Sequence, residues 1–290
     1  MQTFLKALVA AAVFFSSTAY ADDTCFEAKD ASRIAIAGGS ITEVIYFLGE
    51  ESRIIATDRT SNFPEEATKF PSVGYVRSLS AEGILSLKPS LVLGEDDMGP
   101  EEIVTQLAAT SVDIRKLSEA HTTQGVLTKI RCIGSILGVE SKAEARISEQ
   151  LESDLNELQV IAATQRSDKP RVALLLMFAE GSPIIAGHDT SGDGVLAMAG
   201  AANAFAAVEG WKPVSLEAMV KANPDHLIIT ARGFGAAGGL DGLKENPALR
   251  LTKAVTENHI HVIDGMALLG FGPRTLSTAV SISESLSVPE

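Results

Sequence analysis

The stretch VGYVRSLSAEGILSLKPSLVL, Val73 to Leu93, has a diverged copy later in the chain, EGWKPVSLEAMVKANPDHLII, Glu209 to Ile229. Ser80, Glu82 and Pro89 align with Ser215, Glu217 and Pro224, each 135 positions on (80 to 215, 82 to 217, 89 to 224). Gly74 and Tyr75 face Gly210 and Trp211 with a one-residue slip. Solenoid repeats are far shorter than this period, so the pattern implies two similar lobes with a cleft between them. In the first copy Ser80 is placed to cap a short helix, and Pro89 forces a break before an apolar strand. The copies differ most where one carries Tyr75 and the other Trp211.

Outward from this segment, strand-like and helix-like stretches alternate. Arg33 to Ala37 is an apolar strand, and Ser40 with Glu43 three residues on reads as a capping box opening a helix that Gly49 stops. Strand Ile54 to Thr57, a turn-rich segment through Asn62, Pro64 and Pro71, a helix starting near Pro100, strand Val112 to Leu117 and helix Gly125 to Leu137 follow. Alternation of this kind means a mostly parallel sheet with helical crossovers. From Ser141 to about Arg166 there is no Gly or Pro, and Ala145, Ile147, Leu151, Leu155, Leu158 and Ile161 fall at helical spacing. The expectation is one long helix joining the lobes as a strut. After it the alternation resumes: Arg171 to Phe178, Ile184-Ile185, Gly194 to Ala199, Ser215 to Lys221, Leu227 to Thr230, Ile260 to Ile263, and a helix from Pro273. The fold expected is α/β: two lobes, 22–140 and 167–290, each a central mostly parallel sheet flanked by helices, joined by the helix 141–166.

The first 21 residues, MQTFLKALVAAAVFFSSTAYA, read as a secretory leader. Lys6 supplies the positive region, Leu8 to Phe15 the apolar core, and Ala19-Tyr20-Ala21 the cleavage site after Ala21. The apolar run is too short to span a bilayer, so the mature chain is expected in the periplasm with no direct membrane insertion. The formal net charge is −13, and loss of Lys6 makes it −14; an acidic surface of this size argues against nucleic-acid binding. Cys25 and Cys132, in an oxidising compartment, form either one disulfide or two separate thiols; sequence cannot supply the geometry that decides. No G-x-S-x-G elbow, Walker loop or catalytic carboxylate pair is present, and no enzyme activity is expected. Gly38-Gly39-Ser40 opens a helix and has the makings of an anion site, although two glycines and a cap more often make only a turn.

The layout resembles the substrate-binding proteins of ABC importers, in the class with two α/β lobes joined by one long helix. Within that class GYVRSLSAEGILSLKP, AGHDTSGDGVLAMAGA, ITARGFGAAGGLDGL and DGMALLGFGPRT are similar to periplasmic haem-binding members. The resemblance covers nearly the whole mature chain, but the lobe repeat alone is shared with siderophore, cobalamin and metal binders. It implies a carrier of ferric haem b, handed to an inner-membrane ABC haem permease by a protein acting as a monomer. A carrier of the same architecture for a ferric siderophore or corrinoid is the alternative.

The resemblance also implies roles for particular residues. Tyr75 matches the tyrosine that ligates the iron, and Arg232 the arginine beside that phenolate. Of the other tyrosines, Tyr20 leaves with the leader and Tyr46 sits on an apolar helix face. A phenolate is a hard anionic ligand known for haem iron. Arg77, two residues on, points the same way in an extended loop and suits a propionate; its alternative is an ion pair with Glu82 or another acid. His188 is a possible second ligand, or a holder of a second haem. His259 and His261 share a strand face without an apparent third ligand, and an edge-strand surface role is favoured. One glutamate from each lobe docks such proteins to their permease; Glu101 and Glu217, each in a helix's first turn, fit that role, with Glu102 a close rival to Glu101.

Overall fold

The computed structural model describes residues 24–164 and 169–287. The leader and its cleavage site lie outside the described residues, as do the final residues of the expected connecting helix.

The first lobe runs β1 (Ile34–Ala37), α1 (Gly39–Leu48), β2 (Ile54–Ala56), β3 (Gly74–Tyr75), β4 (Ser78–Leu79), α2 (Ala81–Ser86), β5 (Leu91–Glu95), α3 (Glu101–Ala108), β6 (Asp113–Leu117) and α4 (Thr123–Ile136). Its sheet, in the order β2-β1-β5-β6, is parallel throughout. Two helices follow, α5 (Glu140–Gln150) and α6 (Glu152–Ala163). The second lobe runs β7 (Arg171–Ala179), β8 (Ser182–Ala186), α7 (Ser191–Met198), β9 (Ala202–Asn203), β10 (Trp211–Pro213), α8 (Leu216–Ala222), β11 (His226–Thr230), α9 (Ala231–Ala236), α10 (Gly239–Glu245), α11 (Lys253–Thr256), β12 (Ile260–Ile263), α12 (Gly265–Leu269) and α13 (Pro273–Ser285). Its sheet has the order β10-β8-β7-β11-β12, with β9 on β7; β7, β11 and β12 are parallel, and β8 is antiparallel to both its neighbours, β7 and β10.

The repeat is a structural one. α2 and α8 start at residues 81 and 216, and β5 and β11 span 91–95 and 226–230, the same 135-residue offset. Ser80 and Ser215 play one part: each hydroxyl accepts from a backbone N–H three residues on, at 3.2 Å. Gly74 and Gly210 both hold positive φ, 102° and 71°, which glycine adopts at no steric cost.

The expected strut is built from α5 and α6, which meet at Leu151 (φ −113°, ψ −7°). The backbone ladder crosses the bend, Leu151 N–H donating to Ile147 and Leu155 N–H to Leu151. Ala143, Ile147, Leu151 and Leu158 bury into the core and Ala145 faces solvent. One cluster of buried side chains contains Ile36, Ile41 and Ile130 of the first lobe with Leu174, Ile228 and Leu276 of the second. Smaller clusters cover the outer face of each sheet. The lobes therefore share a core, and swinging them apart exposes apolar surface at about 25 cal/mol per Å².

Two local expectations are corrected. The capping box at Ser40 and Glu43 does not form: α1 begins at Gly39, and Ser40 lies inside it. Side chains from the segment after β2 and from the end of β5 take its first donors instead. Gly38 N–H donates to Asp58 Oδ1 (3.2 Å), Gly39 N–H to Thr60 Oγ1 (2.8 Å) and Ser40 N–H to Glu95 Oε1 (3.3 Å). Side chains of this chain fill the place where Gly38-Gly39-Ser40 suggested an external anion. The glycine-rich segment around Arg232 forms helix α9, capped by Thr230 accepting from Gly233 N–H at 3.0 Å.

The cysteine question is answered by a Cys25–Cys132 disulfide, which ties the N-terminal tail to α4. Arg115, only 3% exposed, reinforces the attachment. Its guanidinium donates to the carbonyls of Thr24 and Phe26 and lies 4.1 Å from the Phe26 ring centroid.

Candidate functional site

The segment after β2 runs alongside the strand that carries Tyr75. Thr57 N–H donates to Pro71 O (3.0 Å), Val73 N–H to Thr57 O (2.9 Å) and Arg59 N–H to Gly74 O (2.8 Å). Buried Asp58 locks the two together by accepting from Gly38 N–H (3.2 Å), Thr60 Oγ1 (2.7 Å), Ser61 Oγ (3.2 Å) and Val76 N–H (3.1 Å). β3 and β4 form a small hairpin in which Tyr75 pairs with Ser78. The loop after β5 clasps it: Gly99 N–H donates to Val76 O, and Leu79 N–H to Gly99 O, both at 2.9 Å.

This scaffold leaves Tyr75 half-buried, with its hydroxyl accepting from Arg77 Nη1 at 2.6 Å. Arg77 also pairs with Asp97. The guanidinium carbons of Arg77 and Arg59 each lie 5.8 Å from the Tyr75 ring centroid, within cation–π range. Burial works against the charge on Arg77, but Asp97 and the Tyr75 hydroxyl outweigh it and hold its pKa above the ordinary arginine value. Arg77 shares the direction of Tyr75 as expected, but through a tight turn and not an extended run, and the turn brings the two side chains into contact. The acid that holds Arg77 is Asp97, not Glu82.

Arg59, Tyr75, Arg77 and Asp97 cluster past the carboxyl ends of β2 and β5, the edge at which open α/β sheets take ligands. The second lobe meets this edge through α12 and the start of α13. Arg274 pairs with Glu43 and Asp264, and its guanidinium lies 3.8 Å from the Phe63 ring centroid. Lys129, only 3% exposed, donates to Ser40 Oγ (2.9 Å) and Gly270 O (3.1 Å) and pairs with Glu119. Glu95, deep in this network, has its pKa pushed up to about 7, chiefly by burial and then by the like charge of Glu119. Ion pairs and buried hydrogen bonds thus join the lobes beneath the edge that carries Tyr75.

The other predicted residues are more scattered. Arg232 stands exposed in the first turn of α9, and among the described residues its side chain makes no hydrogen bond or ion pair. The cations at the Tyr75 ring are Arg77 and Arg59, and sequence reasoning missed Arg59. His188 lies between β8 and α7; its backbone is pinned to Val208 and Gly210, and its Nδ1 is 2.9 Å from Asp189 Oδ2. His259 and His261 gain a neighbour in His226, whose Nδ1 is 3.2 Å from His261 Nε2 and whose ring stacks on His259 at 4.8 Å. Burial and the two neighbouring histidines push His226 down to about 4. All three are half-buried at the β12 edge. Among the described residues no His, Cys, Asp and Glu group is arranged to hold a metal ion.

Glu101 is exposed in the first turn of α3, 3.4 Å from Lys116 Nζ, and Glu102 follows it. Glu217 is exposed in the first turn of α8, its carboxyl held below the usual range by its own backbone N–H and the Ser215 hydroxyl. The residue at the matching place in the first lobe is Glu82, in the first turn of α2; Glu101 belongs to the next helix.

Comparison with known proteins places this architecture. The family model described as periplasmic binding protein matches residues 34–267. The chain belongs to the periplasmic binding protein family. It falls in the class of that family that carries haem, vitamin B12 or siderophores. Its structure is similar to the apo form of the periplasmic heme-binding protein RhuT from Roseiflexus sp. RS-1, with a TM-score of 0.82, 33% identity, and coverage of 89% of this chain and 98% of that one. It is also similar to the periplasmic heme-binding protein BhuT in complex with two hemes, with a TM-score of 0.81, 31% identity, and coverage of 88% and 99%. In sequence this family member is 27% identical over 262 residues to the ABC transporter substrate-binding lipoprotein YvrC of Bacillus subtilis, covering 89% of this chain and 81% of that one. It is 26% identical over 189 residues to the vitamin B12-binding protein of Pectobacterium carotovorum, covering 65% and 67%.

Proposed function

We propose that this binding protein captures ferric haem b between its lobes through the phenolate of Tyr75 and delivers it to an inner-membrane ABC haem permease. The observation that carries the reading is Tyr75 at the carboxyl edge of the first sheet, its hydroxyl on Arg77 and its ring within reach of a second arginine. Ferric iron displaces the phenol proton, and a hydrogen-bonded guanidinium stabilises the anion that results. The likeness to RhuT and BhuT supports haem as the cargo. Burial of the macrocycle against apolar side chains supplies most of the affinity. Arg232 reaches a propionate from the second lobe, and His188 supplies the sixth ligand or holds a second haem. The chain is exported after cleavage behind Ala21 and works as a monomer.

Docking to the permease uses one exposed carboxylate from each lobe. Glu217 serves in the second lobe. In the first lobe the repeat favours Glu82 over Glu101, because Glu82 occupies the same turn of the same capped helix. Exposed ion pairs contribute little each, which suits a reversible handover.

A corrinoid carrier is the second reading, and the likeness to a vitamin B12-binding protein is the observation behind it. Absorption titrations of the mature protein with haemin, aquocobalamin and a ferric siderophore separate the readings. Saturable haemin binding with a ferric charge-transfer band is expected. Preferential uptake of either other ligand defeats the proposal.

A further inference from the structure

We infer that Arg59 is a carboxylate-binding residue that makes this cleft select a macrocycle with free acid groups over one decorated with amides. The inference rests on the haem reading and sharpens it.

Arg59 is an exposed cation without a counter-ion. Among the described residues its guanidinium makes no hydrogen bond or ion pair, and its recorded contact is the Tyr75 ring, 5.8 Å from centroid to guanidinium carbon. Other exposed arginines, Arg232 among them, are also unpaired among the described residues; Arg59 stands apart because it lies over the Tyr75 ring. The adjacent acid cannot answer it. Asp58 is 3% exposed, and both its oxygens are engaged by Gly38, Thr60, Ser61 and Val76. The next nearby acid, Asp97, is paired with Arg77. The backbone of Arg59 is fixed to Gly74, the residue before Tyr75, so its free charge is held beside the phenol by scaffold and not by chance.

Charge balance assigns that cation a partner. A ferric porphyrin core carries one positive charge, which a phenolate ligand cancels. The two propionates remain. Arg77 is committed to Asp97 and the phenol oxygen, so Arg59 is the cation at the Tyr75 ring left to meet a propionate. Guanidinium and carboxylate match in a two-pronged geometry. A corrinoid presents neutral amides, which leave a desolvated guanidinium unpaired at a cost.

The test uses the mature protein and its Arg59→Gln and Arg59→Lys variants. Each is titrated with haemin and with haemin dimethyl ester, whose propionates are capped. For haemin, Arg59→Gln is expected to weaken binding about tenfold without moving the Soret or charge-transfer bands, and Arg59→Lys to lose less. For the ester, wild type and Arg59→Gln are expected to bind alike. Equal haemin affinity in wild type and Arg59→Gln overturns the inference, as does an equal loss with acid and ester. Failure of the unsubstituted protein to bind haemin at all defeats the parent reading, and this inference with it; that result is visible before any variant is made.

Discussion

Replacing Tyr75 by phenylalanine separates the proposed iron ligation from the fold, and the geometry says how cleanly. The hydroxyl has one recorded partner, Arg77 Nη1 at 2.6 Å. Arg77 keeps Asp97 when the hydroxyl goes, and the Arg77 side chain is 62% exposed, so water replaces the lost acceptor. The loss to folding is therefore under about 1 kcal/mol. For a chain of this size that is a Tm shift of about 2–4 °C or less. The ring stays, and with it the two guanidinium contacts. Ligand binding should respond very differently. Removing one partner of a desolvated charge-assisted contact costs about 2–4 kcal/mol, or roughly 30- to 1000-fold in affinity. Haemin titration followed by absorption reads both affinity and ligation, and thermal unfolding of the apoprotein reads the fold. The expected outcome is an apo Tm near wild type with a lost or shifted charge-transfer band and weaker binding. An unchanged visible spectrum at unchanged affinity refutes Tyr75 as the ligand, because no other feature of the substitution can hide a lost iron–oxygen bond.

Other expectations follow from the rest of the network. Glu95 binds its proton more tightly in the fold than free, about 7 against an ordinary 4.5. Its contribution is thus greatest below pH 4.5 and is lost as pH rises through 7, by up to about 3 kcal/mol; Glu95→Gln should flatten the fall in urea midpoint between pH 5 and 8, and an unaltered slope removes Glu95 as its source. The Cys25–Cys132 bridge spans a sequence separation of 107, for which loop entropy gives about 4–5 kcal/mol; the double serine variant should lower the guanidinium midpoint accordingly, and a loss below about 1 kcal/mol contradicts that account. Charge reversal at Glu82 or Glu217 should reduce permease-dependent haem uptake with haemin affinity intact; a stronger effect from Glu101→Lys than from Glu82→Lys returns the docking role to Glu101.

What the sequence disclosed and what it hid divide along a physical line. Elements governed by neighbours a few residues away were legible: the cap at Ser80, the stop at Gly49, the strand after Pro89, and the repeat itself. Elements decided by tertiary partners were not. Ser40 and Glu43 have capping-box spacing, yet Glu95 from the end of β5 and Thr60 from the segment after β2 take the helix donors, and Glu43 turns to Arg274. Arg59 looked like one more residue in a turn-rich stretch. Its place beside Tyr75 depends on Thr57–Arg59 pairing with Pro71–Gly74 across a gap that no local pattern records. The disulfide needed the tail to fold back onto α4, and Arg115 is buried to hold it there.

The two halves present different side chains on matching ledges. Gly74 and Gly210 each use positive φ immediately before an aromatic residue in a short strand, Tyr75 in β3 and Trp211 in β10. Trp211 packs against the shared core, with a ring carbon 3.0 Å from where a side chain on Gly192 would begin. An indole there has only an N–H donor to offer, so that ledge is committed to packing. Tyr75 keeps its oxygen at the rim because Asp58 and the Gly99 backbone hold the hairpin in place without covering it. On the proposed reading, the duplicated fold offers a phenol oxygen from one side only. Any second axial group must come from outside the repeat, which is why His188, in the loop between β8 and α7, is the residue to watch in the spectrum of the second lobe's variants.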